Sequence, residues 1–147
     1  MSEAPLPQNS PRYISLPRFA DERGNLSFLQ YPGDSPFDIK RVFYLYGMPE
    51  GSTRGAHAHK TLEEVIVVLH GSCIVKTYDG HQWQSFSLDR PDRGLYIPPL
   101  YRGELTEFAP DTVVMVLCSD LFIAEDYLSP LQEYLDYMAT LQPGKSK

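Results

Sequence analysis

Short β-rich runs that recur along most of the chain constrain its fold more than any other feature of the sequence. Turn residues break these runs at intervals of roughly 8–12 residues, a spacing typical of β-sandwiches and β-barrels. The pattern predicts strands at residues 13–16, 25–30, 41–46, 54–59, 64–69, 73–77, 82–88, 94–97 and 112–118. We therefore expect an all-β protein.

The turns and the end of the chain add two local predictions. Asp79-Gly80 lies between two apolar runs and is the clearest hairpin signal, because both residues tolerate turn conformations. Only the C-terminal region has a helical pattern. Its apolar stripe, at three- and four-residue spacing, consists of Leu131, Tyr134, Leu135 and Met138. Ser129 and Pro130 are expected to be the N-cap and the first helical residue, and the helix is expected to pack against the barrel.

Length and charge limit the classes of protein to consider. The 147 residues, 42% of them hydrophobic, suit one domain, which we expect at residues 11–142 with flexible tails at 1–10 and 143–147. The net charge is −6 and no Lys/Arg cluster stands out, so a nucleic-acid partner is not expected. The longest apolar run, residues 65–69, is far too short for a membrane span. We expect a soluble, cytoplasmic protein without a membrane partner.

The two cysteines, Cys73 and Cys118, each lie inside an apolar strand-like run. Free cysteine is among the residue types most often buried. We therefore expect two small buried side chains, with neither a disulfide nor a zinc site.

The stretch from Gly51 to Gly71 has a distinctive spacing. It reads as a glycine, five residues, His57-Ala58-His59, four residues, Glu64, six residues and a second glycine. Side chains at i and i+2 of a strand share one face and lie roughly 6–7 Å apart. Two imidazoles on one face suit proton transfer near neutral pH, and neutral imidazole is also a common metal ligand. An ordinary polar surface strand is disfavoured, because the small neighbouring residues leave this face open.

This spacing resembles the first conserved motif of the cupin superfamily. The resemblance implies a jelly-roll barrel, also called a double-stranded β-helix, with a short C-terminal helix. A metal-binding cupin would need a further histidine from its second motif, and the matching segment, residues 94–104, contains none. His57, His59 and Glu64 could still hold Fe(II) as a two-histidine, one-carboxylate triad. We expect a site without a metal or other cofactor, because the missing imidazole weakens metal binding.

Several segments resemble one branch of the cupins, the nucleotide-sugar 3,4-ketoisomerases of deoxysugar biosynthesis. They are Arg41-Val42-Phe43-Tyr44, Arg54-Gly55-Ala56-His57-Ala58-His59-Lys60, Gly71-Ser72, Asp79-Gly80 and Gly94-Leu95-Tyr96-Ile97-Pro98, with a similar upstream turn at Asp21-Glu22-Arg23-Gly24. The resemblance extends from about Tyr13 to Tyr127. It implies metal-free conversion of a dTDP-4-keto-6-deoxyhexose to its 3-keto isomer, by a homodimer with exchanged N-terminal strands. Tyr101, where the family pattern has Trp, and residues 121–127 depart from that pattern.

The chemistry of the implied reaction suggests roles for particular residues. Moving a carbonyl from C4 to C3 requires proton removal at C3, an enediol and proton return at C4, which is general acid/base work. We expect His59 to be the carbon base and His57 to handle an oxygen-bound proton or orient the sugar. We expect Tyr44 to place a phenol near the developing enolate oxygen, and Arg54 to neutralise charge on that oxygen or on the pyrophosphate. The substrate-binding candidates are Arg23, Arg41, Tyr46, Lys60, Tyr96, Tyr101 and Arg102.

Three alternative functions stay open at this point. A sugar-nucleotide 3,5-epimerase would use the same kind of base at C3 and C5. A non-catalytic cupin would only bind a sugar or a metal, since fold alone does not determine function. A dioxygenase is a weaker alternative and would contain bound iron.

Overall fold

The computed structural model describes residues 9–141. In chain order the strands are β1 (Arg12–Ser15), β2 (Arg18–Asp21), β3 (Gly24–Ser27), β4 (Arg41–Leu45), β5 (Arg54–His59), β6 (Glu64–His70), β7 (Cys73–Tyr78), β8 (Trp83–Leu88), β9 (Arg93–Ile97), β10 (Arg102–Thr106), β11 (Val113–Cys118) and β12 (Tyr127–Leu128). A short 3₁₀ turn, Ala124–Asp126, precedes β12, and helix α1 spans Leu131–Thr140. Of the predicted tails, residues 1–8 and 143–147 lie outside the described residues.

Two five-stranded antiparallel sheets form the barrel. The first sheet has the strand order β1-β9-β6-β11-β4, the second has the order β12-β5-β10-β7-β8, and β2 and β3 form a separate hairpin. Apolar side chains from both sheets meet between them, among them Ile66, Val75, Leu88 and Val116. This arrangement confirms the predicted all-β cupin barrel with a short C-terminal helix.

Strand β6 shows how the sequence pattern builds this core. Alternate residues of a strand point to opposite faces. Ile66 and Val68 therefore join the core between the sheets, whereas Val65 and Val67 pack on the outer face of the first sheet. Phe37, from the segment between β3 and β4, covers that outer face. A continuous apolar run is what a strand buried on both faces requires.

Helix α1 packs on the outer face of the second sheet. Tyr134 is fully buried beside Ala58 and Leu128, and its hydroxyl lies 3.0 Å and 2.9 Å from the carbonyl oxygens of Tyr78 and Leu100. The predicted helix start is wrong by one residue. Pro130 has extended backbone (ψ 140°) and occupies the N-cap position, so the helix begins at Leu131, and no side chain caps it.

Two local predictions are confirmed, the Asp79-Gly80 turn and the burial of both cysteines. Asp79-Gly80 lies in the turn between β7 and β8, where Asp79 Oδ1 accepts hydrogen bonds from the amides of His81 and Gln82 (2.8 and 2.9 Å). Both cysteines are buried free thiols. In the described range, no helix has the length and apolar character needed to cross a membrane.

Candidate functional site

The backbone of β5 departs from regular strand geometry just before the histidines. Gly55 and Ala56 both have positive φ, +89° and +63°. A Cβ at position 55 would lie 2.9 Å from the carbonyl oxygen of Gly103 in β10, so only glycine fits this close approach. The pairing of β5 with β10 shifts register between Gly103 and Glu104. This local distortion presents the following residues, His57 and His59, to the space between the sheets.

The two imidazoles lie side by side at the open end of the barrel. Their ring centroids are 4.9 Å apart, with an angle of 79° between the ring planes. They line what we call the histidine cavity, which has a volume of about 580 Å³ when the space open to solvent is included. Its other lining residues are Phe43, Leu45, Arg54, Gly55, Glu64, Ile66, Ile97, Tyr101, Gly103, Leu105 and Val116. A mainly apolar pocket with a few convergent polar groups is typical of small-molecule sites.

The hydrogen bonds of the two histidines leave proton-accepting atoms available. Nδ1 of His57 lies 3.1 Å from the carbonyl oxygen of Gly55. Because a carbonyl only accepts, Nδ1 carries the proton in this contact, and Nε2 of His57 retains a lone pair. Nε2 of His59 is buried and has no hydrogen-bond partner among residues 9–141. Each imidazole can therefore take up a proton.

Burial keeps both histidines neutral. Burial is the main cause that lowers the pKa of His59 to about 4, and the charges of His57 and Arg41 lower it further, while Asp126 opposes them. The pKa of His57 is also lowered, chiefly by burial, with a smaller contribution from Arg102. A neutral imidazole is the form that acts as a base.

A carboxyl and a guanidinium lie beside the pair. Burial raises the pKa of Glu64 to about 7, and the nearby Arg41 only partly opposes this. Nε and Nη2 of Arg41 are buried without hydrogen-bond partners. Burial lowers the pKa of Arg41, but Tyr127, Cys118 and Glu64 outweigh it and raise the pKa overall. Glu64 is thus the third titratable group of the cavity.

Sequence reasoning missed two residues that act on the histidines, Tyr127 by ring contact and Asp126 by its charge. The Tyr127 ring lies 4.9 Å from His57 and 4.5 Å from His59, centroid to centroid. The carboxylate of Asp126 raises the pKa of His59. The two-residue strand β12 is too short to give a periodic signal. The one available clue was the departure from the family pattern at residues 121–127.

The structure places four predicted site residues near the imidazoles. Arg54 and Tyr101 line the histidine cavity. The charge of Arg102 acts on His57, and Nη1 of Arg102 donates a hydrogen bond to the carbonyl oxygen of Ser129 (2.6 Å). The charge of Arg41 lowers the pKa of His59.

Tyr44 and Tyr46 lie elsewhere. Strand alternation directs Phe43 and Leu45 into the histidine cavity, so Tyr44 points to the opposite side and is 63% exposed. Tyr44 is therefore on the wrong side of β4 to reach the imidazoles of its own chain. The Tyr44 and Tyr46 rings stack at 6.0 Å and line a neighbouring depression that shares Arg54 with the histidine cavity.

Three other candidates are not among the residues that line the cavity. Arg23, in the β2–β3 turn, is paired with Asp21 at 2.6 Å. The Lys60 ammonium lies over the Tyr137 ring of α1 (5.3 Å). Tyr96 is buried on the outer face of the first sheet, where its hydroxyl donates to Glu63 Oε1 (2.7 Å).

The possible iron triad is not assembled by this geometry. Glu64 lines the same cavity as His57 and His59. Even so, the residues from 9 to 141 include no group of three or more His, Cys, Asp or Glu side chains placed to hold a metal ion. The charge that lowers the pKa of Glu64 is that of Arg41.

Comparisons with known proteins agree with the resemblance. The profile of the FdtA family, described as WxcM-like, C-terminal, matches residues 9–139. A curated relative, the TDP-4-oxo-6-deoxy-α-D-glucose-3,4-oxoisomerase of Aneurinibacillus thermoaerophilus, is 38% identical over 134 residues, which cover 91% of this chain and 96% of the relative.

Solved structures show the same relationship. The sugar 3,4-ketoisomerase QdtA of Thermoanaerobacterium thermosaccharolyticum, in complex with TDP, is 32% identical with a TM-score of 0.87, and the match covers 92% of this chain and 98% of that one. The dTDP-4-dehydrorhamnose 3,5-epimerase of Bacillus anthracis is only 19% identical, with a TM-score of 0.70 over 80% of this chain and 76% of its own, and shows the shared fold alone. Because a family profile and a close relative both match nearly the full length, the chain belongs to the nucleotide-sugar 3,4-ketoisomerase family of the cupin superfamily.

Proposed function

We propose that this chain converts a TDP-linked 4-keto-6-deoxyhexose to its 3-keto isomer in the histidine cavity. The observation that carries the proposal is the pair of neutral imidazoles in one cavity, with a free Nε2 on His59. The curated relative is named for this reaction, and QdtA has been captured with TDP and, as a variant 30% identical to this chain, with TDP-4-keto-6-deoxyglucose.

In the proposed mechanism, His59 is the carbon base. Its Nε2 takes the proton from C3, and the electron pair of the C–H bond moves into a C3–C4 double bond while negative charge develops on O4. Protonation of O4 gives the enediol. The proton on O3 then leaves as a proton returns to C4, which forms the C3 carbonyl and the C4 hydroxyl. His57, whose ring centroid lies 4.9 Å from that of His59, transfers the protons on O3 and O4.

The remaining cavity residues stabilise the charge on the enediolate. Arg54 supplies a cation and Tyr101 a phenol at the cavity wall, and the pKa of that phenol is raised mainly by burial, so the phenol keeps its proton. Arg41 and Arg102 add positive charge near the imidazoles. The Tyr44–Tyr46 stack, which shares Arg54 with the cavity, offers a surface for the nucleotide.

The test is proton NMR of chelator-treated protein with dTDP-4-keto-6-deoxyglucose in deuterated water. Wild type is expected to form the 3-keto product with deuterium at the reacting carbons, and His59→Asn is expected to lose this activity. His81→Asn, at an exposed histidine of the β7–β8 turn, is the matched control and should behave like wild type. Exchange at C5 would indicate an epimerase instead. An unchanged spectrum would indicate a binding protein.

We propose a homodimer with exchanged N-terminal strands. The β2–β3 hairpin exposes Phe19 (64%) and Leu26 (60%), and Phe19 stacks on Phe28 at 6.1 Å. Large exposed apolar groups on a hairpin favour a protein partner. Sedimentation of the full chain should give a dimer, and Phe19→Asp should shift it toward monomer. A monomeric wild type would contradict the proposal.

We also propose that residues 11–142 form one cupin domain. The two facing sheets and the shared core of the described residues support these bounds. A chain trimmed to 11–142 should keep a single cooperative thermal transition at the temperature of the full chain. A lower or broadened transition would contradict these bounds.

We propose a cytoplasmic location. The two buried free thiols suit a reducing compartment. Fractionation of cells that express the full chain tests this, and recovery in the membrane or secreted fraction would contradict it.

A further inference from the structure

Three aromatic rings contact one another at the base of the histidine cavity. Besides the 4.9 Å between the two imidazoles, the Tyr127 ring lies 4.5 Å from His59 at an angle of 72° and 4.9 Å from His57 at 54°. Edge-to-face packing of this kind favours a defined relative orientation of the rings. The Tyr127 ring does not belong to the lining of the histidine cavity. Its described ring contacts at this site are with the imidazoles and with Phe122.

Backbone and carboxylate contacts fasten this segment without the help of the Tyr127 side chain. The Asp126 carboxylate accepts hydrogen bonds from the Thr61 amide (2.9 Å), the Thr61 hydroxyl (2.8 Å) and the Leu62 amide (3.2 Å). The Asp126 carbonyl accepts a further one from the Lys60 amide (2.9 Å). Tyr127 and Leu128 pair with β5 opposite His59 and Ala58. Substitution at Tyr127 should therefore leave the path of the chain intact.

The far side of the Tyr127 ring is also supported. The Phe122 ring lies 5.3 Å from it, and the Arg41 guanidinium lies 5.8 Å from the Phe122 ring and next to the Tyr127 phenol. The ring is thus held between this support and the imidazoles. Its orientation is set by neighbours on both sides.

We propose that Tyr127 is a positioning residue whose ring holds the imidazoles of His57 and His59 in their reactive orientation and shields them from water behind the cavity. This inference rests on the proposed isomerase function. The side chain acts through the histidines and contacts neither substrate nor reacting atoms. Misplacement of a base by about 1 Å can lower a rate by roughly 10²-fold, so such a support is consequential.

The shielding has a measurable consequence, because burial is the main cause of the low pKa of His59. The charged and titratable groups around His59 are His57, Arg41 from β4, Arg54 from β5, Glu64 from β6, Tyr101 and Arg102 at the start of β10, and Asp126 beside Tyr127. All of them remain when only the Tyr127 ring is removed. A rise in the pKa of His59 after that change therefore reports the entry of water.

The experiment compares Tyr127→Leu, Tyr127→Phe and Tyr137→Leu in the full-length protein. Tyr137, a half-buried tyrosine of α1, is the matched control, and its variant should keep the wild-type kcat and pH profile. Tyr127→Leu is expected to lower kcat by roughly tenfold or more with little change in KM. The acid limb of the pH profile of this variant should move from about pH 4 toward 6.5. Tyr127→Phe, which keeps the ring, should restore most of kcat and the wild-type limb.

The NMR titration of the His59 Cε1 proton separates this inference from the proposed function. If wild type lacks isomerase activity, the function fails, and the titration alone tests the shielding. An unchanged titration and an unchanged kcat in Tyr127→Leu would overturn the role of Tyr127. Equal loss in Tyr127→Phe and Tyr127→Leu would overturn it too, since the phenol and not the ring would matter. Should Tyr127→Leu not fold, Tyr127→Met, which lacks a planar ring, carries the same expectations.

Discussion

The interior of the barrel has two halves that differ in chemistry although the same strands build both. Along β6, Glu64, Ile66 and Val68 all point inward, from the histidine cavity toward the closed end. The closed half is filled by side chains such as Val75 and Leu88, which are fully buried. The open half contains titratable groups, among them His57, His59 and Glu64. One alternating strand pattern therefore serves packing at one end and proton chemistry at the other.

The open half contains a distorted backbone and an unsatisfied polar atom beside its catalytic candidates. The open half has positive φ at Gly55 and Ala56 and leaves Nε2 of His59 without a partner. Such features cost stability and persist where the surrounding structure holds them. The rigid closed half supplies that support. We therefore expect substitutions in the open half to affect catalysis first, and substitutions in the closed half to affect stability first.

The largest effect is expected for His57→Asn in the open half. Loss of one acid/base group should lower kcat/KM by about 10²–10⁴-fold. The melting temperature should change little, because the imidazole is only partly buried and its hydrogen bond within the described residues is with the Gly55 carbonyl. Steady-state kinetics and thermal denaturation of the same preparation measure both. A variant with a much lower melting temperature and wild-type activity would contradict the proposed difference between the halves.

Leu88→Ala should show the opposite behaviour. The side chain is fully buried in the closed half, and such a truncation typically costs about 2–5 kcal/mol of the free energy of unfolding. The folded fraction should keep the wild-type kcat, because Leu88 does not line the histidine cavity. Urea denaturation gives the stability change. A fall in kcat under conditions where the variant is fully folded would show that the halves are coupled.

The closed half was largely predictable from the sequence. The apolar runs of β6, β7 and β11 and the Asp79-Gly80 turn gave strands close to those observed. Three strands were missed, β2, β10 and β12. β10 reads Arg-Gly-Glu-Leu-Thr and is paired on both sides, so its strand conformation comes from its neighbours and not from its own residues.

The open half was predictable only in part. The His57-Ala58-His59 spacing located the imidazoles, because i and i+2 share a strand face. Tyr44 was expected there as well, but the same alternation puts it on the opposite side from Phe43. Tyr127 is about seventy residues further along the chain, and its contact with the histidines depends on long-range pairing of β12 with β5. Spacing along the sequence carries no information about such pairing.

Gly55→Ala tests the boundary between the halves with an intermediate effect. An alanine at position 55 would have to adopt φ of +89°. Its Cβ would lie 2.9 Å from the Gly103 carbonyl oxygen, so β5 and β10 must separate. We expect a stability loss of about 1–3 kcal/mol together with a lower kcat. Gly80→Ala is the control, since φ is +98° there but nothing lies within 4 Å of its Cβ. Equal kcat in the two variants would mean that the close approach does not position His57.

The smallest expected effect concerns pH and separates two groups of the open half. Folding raises the pKa of Glu64 from 4.5 to about 7, so the folded chain binds an extra proton between these values, and stability falls as the pH rises through this window. Folding lowers the pKa of His59 from 6.5 to about 4, so the unfolded chain binds the extra proton, and stability rises with pH between 4 and 6.5. In wild type the two slopes oppose each other between pH 4.5 and 6.5.

Glu64→Gln removes one of these opposing slopes. The stability of this variant should rise with pH between 4.5 and 6.5 more steeply than that of wild type, because the lowered pKa values of His59 and His57 then act without the opposing contribution of Glu64. His59→Asn should show the reverse, with stability that falls from pH 4.5 to 7. Urea denaturation at several pH values measures both slopes. If Glu64→Gln followed the wild-type curve, Glu64 would titrate alike in the folded and unfolded chains, and the contrast between Glu64 and His59 would be lost.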